Sequence, residues 1–151
     1  MADRGVGTMP TISGINHVSV TVTDIARSVD WYSEVLGLSK LMEEQHPNDS
    51  GYAIVLGKPD WSMAVGLHTH PTNEQERFVE SRTGLDHVGF MVSDRAELNA
   101  WESRLTDLGV EHSPVNDKGA YAVVVFRDQT TSNSSSSPWA EADWRAHSGV
   151  A

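Results

Sequence analysis

The chain repeats itself at a fixed spacing, in which residue 17 corresponds to residue 87. Such a self-match marks a repeated structural unit, so it limits the fold before any helix or strand is assigned. Identical residues stand at the paired positions Gly14/Gly84, His17/His87, Val18/Val88, Val22/Val92, Asp24/Asp94, Ala26/Ala96, Trp31/Trp101 and Ser33/Ser103. The sequence therefore predicts one domain over residues 12–128, made of two related modules at 12–69 and 84–128.

Both modules open with alternating apolar and polar residues, over Ile15–Val22 and Leu85–Val92. This alternation, rich in β-branched residues, predicts a half-buried strand whose successive side chains point to opposite faces. The valines then share the face that a helix must cover. His17 and His87 lie on the other face.

A helix follows each opening strand. Asp24 and Asp94 stand where an N-cap belongs, and Gly37 and Gly109 are placed to end the two helices. Strand-like segments come next, at Leu38–Glu44, Tyr52–Leu56 and Ser62–His68 in the first module and at Val110–Val115 and Tyr121–Arg127 in the second. The predicted fold class is α+β, with paired βαβββ modules of which the second lacks its last strand.

Charge and composition exclude several functions. The formal net charge is −10, so nucleic acid and anionic membrane surfaces are not expected partners. The chain has no cysteine, which excludes disulfides, thiolate metal sites and cysteine nucleophiles. Residues 1–11 do not form a secretory signal, and no apolar run is long enough to span a bilayer. We expect a cytoplasmic protein.

The paired modules, each opening with Asn/Asp-His-Val and the first continuing to Trp31-Tyr32 and Val35–Leu38, resemble the vicinal oxygen chelate superfamily. Glyoxalase I, extradiol dioxygenases, fosfomycin-resistance enzymes and bleomycin-binding proteins belong to it. The resemblance implies sheets arranged around a cup and a metal-dependent lyase, isomerase or dioxygenase that acts on a small substrate with vicinal oxygens. The alternative is a non-catalytic protein of the bleomycin-resistance type that binds an antibiotic or aromatic molecule.

The resemblance also implies a metal site. His17 and His87 fall on the family's ligand positions, and His68, near the end of the first module's last strand, is the third predicted ligand. A divalent ion such as Zn, Fe, Mn, Ni or Co is the implied cofactor. Glyoxalase I has a glutamate at the position of Gly66, so this ligand is missing. His70 is a weaker candidate on the face of His68, whereas His46, His112 and His147 are interpreted as solvated or loop residues.

The tail, residues 129–151, departs from the family pattern. The family's last strand carries a glutamate ligand, but Gln129–Ser137 contains no apolar residue. Deleting one C from a proline codon in a frame encoding Asp-Pro-Asp-Asn-Ile-Gln-Leu-Glu-Phe-Phe reproduces this run and puts Ser135 in place of the glutamate. Our hypothesis is an irregular, out-of-frame tail, whose missing ligand would impair activity. The alternative is a natural, divergent tail. The incomplete module would expose a sheet edge, which predicts a homodimer.

Overall fold

The computed structural model describes residues 11–75, 78, 79 and 82–128, together with the backbone of 142–146. The elements of the first module are β1 (Val18–Thr21), α1 (Ile25–Leu36), β2 (Ser39–Gln45), a 3-10 turn (Pro47–Asp49), β3 (Tyr52–Gly57) and β4 (Ala64–Thr69). Those after it are α2 (Arg95–Asp107), β5 (Asn116–Asp117), β6 (Ala122–Phe126) and β7 (Ala142–Ala146). The α+β class is confirmed, and the first module has the predicted βαβββ order.

The first module forms one four-stranded sheet in the order β1-β4-β3-β2. β1 pairs with β4 in parallel, whereas β4 with β3 and β3 with β2 pair antiparallel. Because α1 carries the chain across the sheet, the first strand can lie parallel to the last. This arrangement brings the residues after β1 and the residues at the end of β4 to the same end of the sheet.

Both helices begin at the predicted caps. The carboxylate of Asp24 accepts a hydrogen bond from the Arg27 amide at 3.0 Å, and that of Asp94 accepts one from the Glu97 amide at 2.9 Å. Each bond satisfies an amide that has no partner within its helix. α1 ends at Gly37, whose φ of 66° is left-handed. Both N-caps and the glycine that ends α1 were therefore predicted correctly from the sequence.

The second module differs from the prediction at its opening segment. Leu85–Val92 was predicted to be a strand, but it belongs to no ladder in the described part of the chain. Phe90 and Val92 still pack against the core. The alternating pattern thus reports burial of one face, while strand formation also requires a neighbouring backbone with free donors and acceptors.

The tail also differs in part. Ala142–Ala146, expected to be irregular, forms β7 and pairs antiparallel with β6, so the second sheet has the order β5-β6-β7. β6 is nearly all buried, and a second neighbour satisfies backbone groups that would otherwise be buried unpaired. The run Ser132–Ser137 lies outside the described residues, so the reading-frame hypothesis stays a prediction.

The two modules share one hydrophobic core. Trp31 of α1 stacks on Phe126 of β6 with ring centroids 6.2 Å apart, and the Tyr32 hydroxyl donates to the Asp128 carboxylate at 2.6 Å. Arg104 of α2 also donates to the Val35 carbonyl at 3.0 Å. α1 contacts both sheets and covers one face of the first sheet. The opposite face of the first sheet is not covered by α1.

Strand register defines that opposite face. Ser19 is paired with Gly66, and Thr21 with His68, so these four side-chain positions lie together, away from the buried Val65 and Leu67. Across β3 and β2 the same face carries Ala53, Val55, Met42 and Glu44. We call this set of residues, with the histidines at its edge, the open face.

Candidate metal centre

Three histidines gather at one end of the open face. Among the described residues, His46, His68 and His70 form the one group of three potential ligands whose nitrogens all lie within 4.8 Å of one another. Nε2 of His46 is 3.0 Å from Nδ1 of His68. The ring centroids of His46 and His70 are 4.9 Å apart, and those of His68 and His70 are 6.5 Å apart. All three side chains are half-buried, so the group is partly shielded but remains reachable from solvent.

β4 supplies two of these histidines. His68 lies inside the strand and His70 follows its last residue, so the two positions share one face because strand side chains alternate. The alternation in the sequence predicted that both side chains lie on that face. The structure therefore supports a shared face for His70, the weaker candidate, as well as for His68.

The turn between β2 and β3 supplies the third. His46 follows the last residue of β2, and its amide donates to the Gly51 carbonyl at 2.8 Å, which folds the chain back beside β4. Gly51 has a φ of 125°, and a Cβ there would collide with the Thr69 carbonyl. Only glycine suits this close approach. The turn thereby places the His46 ring against the end of β4.

His46 lies in the turn after β2, which agrees with its interpretation as a loop residue, but it is half-buried beside His68 and not solvated. The sequence analysis ended the second strand at Glu44, whereas β2 continues to Gln45. Met42, Glu44 and His46 therefore follow the same alternation, and their side chains belong to one face. A longer strand was the signal that could have identified His46.

A hydrogen bond orients His70. Its Nδ1 lies 3.1 Å from the Ser50 carbonyl oxygen, which can only accept, so Nδ1 carries the proton. The Nε2 lone pair is then available to a ligand. Metal-bound histidines commonly donate their second ring nitrogen in this way, which fixes both the tautomer and the ring orientation.

The surroundings of His68 favour its neutral form. Burial lowers the pKa of His68, and the neighbouring charges of His46, His70 and His17 lower it further, while the Glu44 carboxylate opposes the shift. A neutral imidazole has a lone pair, which is the form that binds metal ions. The cluster is therefore suited to binding a metal cation.

Of the three predicted ligands, the structure places His68 in the histidine cluster. His17 is exposed, with Nδ1 3.0 Å from the Asn16 amide oxygen, and it is near enough to influence the pKa of His68. His87 lies in the second module, with Nδ1 2.7 Å from the Asp86 carboxylate. Within the described residues, neither joins a group of three close ligands. Their role as ligands stays a prediction.

Gly66 is two residues before His68 in β4 and is its neighbour on the open face. A Cβ at residue 66 would be 3.1 Å from Nε2 of His68 and would collide with the Ser19 hydroxyl. The absence of a side chain therefore leaves the space that the His68 ring occupies. This position is also where the family resemblance put the glyoxalase I glutamate.

Comparison with known proteins agrees with this architecture. The sequence model of the Glyoxalase/Bleomycin resistance protein/Dioxygenase superfamily matches residues 14–131. The chain belongs to this superfamily. The match spans both modules and covers most of the chain, which confirms the resemblance drawn from the repeated motifs.

Individual proteins that are similar to this chain share only a minor part of its sequence. "Putative ring-cleaving dioxygenase MhqA" of Bacillus subtilis (strain 168) is 24% identical over 119 residues, which are 78% of this chain and 37% of that protein. The chain thus spans little more than a third of that relative's length. A glyoxylase/bleomycin resistance protein/dioxygenase domain from Frankia sp. EAN1pec is 27% identical, with a TM-score of 0.75 over 93% of this chain and 94% of that one.

A fosfomycin resistance protein shares the fold at lower identity. A mutant of FosX from Listeria monocytogenes, complexed with Mn(II) and 1S,2S-dihydroxypropylphosphonic acid, has a TM-score of 0.60 and 16% identity, over 93% of this chain and 95% of that one. A protein that shares this fold therefore holds a divalent metal. Neither helix in the described part of this chain has the length and apolarity needed to cross a bilayer.

Proposed function

We propose that the protein is a divalent-metal-dependent enzyme of the glyoxalase/dioxygenase type, acting as a lyase, isomerase or dioxygenase on a small substrate with two neighbouring oxygens. The observation that carries the proposal is the position of His68: a half-buried imidazole whose pKa is lowered, with other imidazoles close by, on the face that α1 leaves uncovered. Catalytic metal sites need such a half-open wall, since substrate must reach the ion.

The donor set suits the proposed cofactor. Imidazole nitrogen is a ligand for Zn, Fe, Co and Ni, and His68 presents it in neutral form. When bound, such an ion would supply Lewis-acid chemistry to neighbouring substrate oxygens. The residues present therefore fit a divalent ion, although they provide less negative charge than a site with carboxylate ligands.

Other residues of the open face are placed to handle the substrate. Ser19 and Thr21 are exposed and lie in the same rows as Gly66 and His68, so their hydroxyls can donate to substrate oxygens beside the ion. Glu44 lies in the row of His68, one strand beyond Ala53. Its negative charge favours a cation near His68.

The family's carboxylate ligands do not contribute to the proposed site. Glycine occupies position 66, and Ser135, where the second glutamate is expected, lies outside the described residues. We therefore propose that the ion is held by imidazoles, with lower affinity than in relatives that retain a carboxylate. Turnover slower than that of such relatives is part of the same proposal.

A substrate panel tests this function. Metal-free protein is loaded in turn with Zn²⁺, Fe²⁺, Mn²⁺, Ni²⁺ or Co²⁺ and assayed with catechols, a thiol adduct of an α-ketoaldehyde, and an epoxide antibiotic. We expect one substrate class to turn over only with metal, and His68→Ala to reduce the rate at least tenfold. His112→Ala, which removes a histidine of the second module that is not part of the cluster, is the matched control.

Two results would contradict the proposal. Equal rates in metal-free and metal-loaded protein would remove the metal's role. Saturable binding of an aromatic or antibiotic molecule, with no product from any metal form, would favour the non-catalytic binding function instead.

A further inference from the structure

We infer that His46, His68 and His70 together form the divalent-metal site, in place of the ligand positions at which the family resemblance put His17 and His87. This inference rests on the proposed function and specifies its metal ligands. It is carried by the distances within the cluster, by the orientation of His70 and by the shape of β4 at Gly66.

The distances within the cluster are close to those of a coordinated ion. Two nitrogens that share a tetrahedral Zn²⁺ at 2.0–2.1 Å lie roughly 3.3 Å apart. Nε2 of His46 and Nδ1 of His68 are hydrogen-bonded at 3.0 Å, so a bound ion would take the place of the proton between them, and the third nitrogen lies within 4.8 Å of both. Binding one ion through all three nitrogens requires the rings to rotate until the longer separations approach this distance.

The His70 ring and the backbone of His46 are positioned before any ion binds. The Ser50 carbonyl accepts the Nδ1 proton of His70 and leaves its Nε2 as the donor atom. His46 is held by the turn that its amide closes with the Gly51 carbonyl. A ligand set that is already oriented loses less conformational freedom when it binds.

Gly66 leaves room for the His68 ring at this site. A side chain at position 66 would begin 3.1 Å from Nε2 of His68 and would meet the Ser19 hydroxyl. A glutamate at this position would therefore displace the His68 ring, whereas glycine lets the ring lie over the strand. With glycine at position 66, the potential ligands on this part of β4 are His68 and His70, and His46 completes the set.

The ligand type also predicts which ion binds. Three neutral imidazoles favour Zn²⁺, Co²⁺ and Ni²⁺ over Mn²⁺, which prefers oxygen ligands. We therefore expect Zn²⁺ and Co²⁺ to bind the full chain more tightly than Mn²⁺. An order with Mn²⁺ tightest would overturn the three-imidazole assignment.

Two double variants decide between the ligand sets. The full chain, made without a polyhistidine tag and freed of metal by a chelator, is titrated with Zn²⁺ by calorimetry and with Co²⁺ by visible absorption. His46→Ala/His70→Ala is expected to weaken binding at least tenfold and to remove the Co²⁺ bands. His17→Ala/His87→Ala, which removes the same number of imidazoles, is expected to stay within twofold of the wild type.

The remaining outcomes separate this inference from the proposed function. Loss of binding only in His17→Ala/His87→Ala, or in both double variants, overturns the ligand assignment but leaves a metal-dependent protein. A wild-type chain that binds no ion overturns both. If His46→Ala/His70→Ala does not fold by circular dichroism, His46→Gln/His70→Gln replaces it, because glutamine keeps the polar bulk without the imidazole.

Discussion

At the scale of single residues, the open face depends on a position with no side chain. Gly66→Ala puts a methyl group against Nε2 of His68 and the Ser19 hydroxyl, so the imidazole must move. We expect Zn²⁺ affinity to fall about tenfold, equivalent to roughly 1.4 kcal/mol. Calorimetric titration measures this change, and thermal unfolding tests whether the sheet is intact.

A second substitution identifies which contact matters. Ser19→Ala in the Gly66→Ala background removes the hydroxyl from the crowded space but leaves the methyl group beside His68. Affinity should stay low in this double variant. Full recovery would show that Ser19, and not the displaced imidazole, caused the loss.

Tyr32 and Asp128 form the principal buried polar pair between the modules. Tyr32→Phe removes a 2.6 Å hydrogen bond to a buried carboxylate, which should lower the free energy of unfolding by about 1–3 kcal/mol. Burial raises the pKa of the Tyr32 hydroxyl, and the Asp128 charge raises it further. The folded state therefore keeps this proton at a pH where the unfolded state loses it.

The sign of the pH effect follows from that difference. Below the unfolded pKa of about 10 the contribution of Tyr32 is complete, and above it the wild type should lose roughly 1.4 kcal/mol per pH unit. Tyr32→Phe lacks this group, so the stability gap between the two proteins should narrow as the pH rises from about 10 to 12. Urea unfolding at several pH values measures the gap. A constant gap would contradict the raised pKa.

At the scale of elements, the two N-caps are a matched pair of experiments. Asp24→Ala and Asp94→Ala each remove the side-chain acceptor for an amide of the first helical turn. Each should cost about 1 kcal/mol of unfolding free energy, measured by urea unfolding. Asp30→Ala removes an exposed carboxylate from the interior of α1 and serves as the control. A cost at Asp30 equal to that at Asp24 would show that charge, and not capping, is responsible.

Elements defined by local chemistry were predictable from the sequence. Capping and alternation located both helices, most of the first sheet and the face of His68, since each depends on residues close in the chain. Leu85–Val92 was wrong as a strand because alternation cannot show which backbone lies beside it. His46 was missed because its site depends on a turn that brings residues 46 and 68 together.

At the scale of the whole molecule, the repeat was the most reliable guide. It predicted paired modules and the superfamily, and the shared core is built where Trp31 of one module meets Phe126 of the other. Function was less accessible, because members of one superfamily carry different chemistries on one scaffold. In the site proposed above, glycine at position 66 changes which side chains can approach a metal.

The exposed apolar residues flanking the module openings predict that the molecule is a homodimer. Ile12, Ile15 and Met91 are 93%, 87% and 78% exposed, and Leu85 is 47% exposed. Exposed apolar side chains are costly in water, and β1 is an edge strand of its sheet. A second copy that covers this surface would bury both features.

Light scattering of the protein as it elutes from a size-exclusion column, at micromolar concentration, tests this expectation. The wild type should have twice the mass of the 16.5 kDa chain, and Ile15→Asp/Leu85→Asp should have the mass of one chain, because each substitution would bury an unpaired charge in the interface. Ala100→Asp adds a charge to the exposed side of α2 and should leave the dimer intact. A monomeric wild type would contradict the prediction, as would a dimer that survives both aspartates.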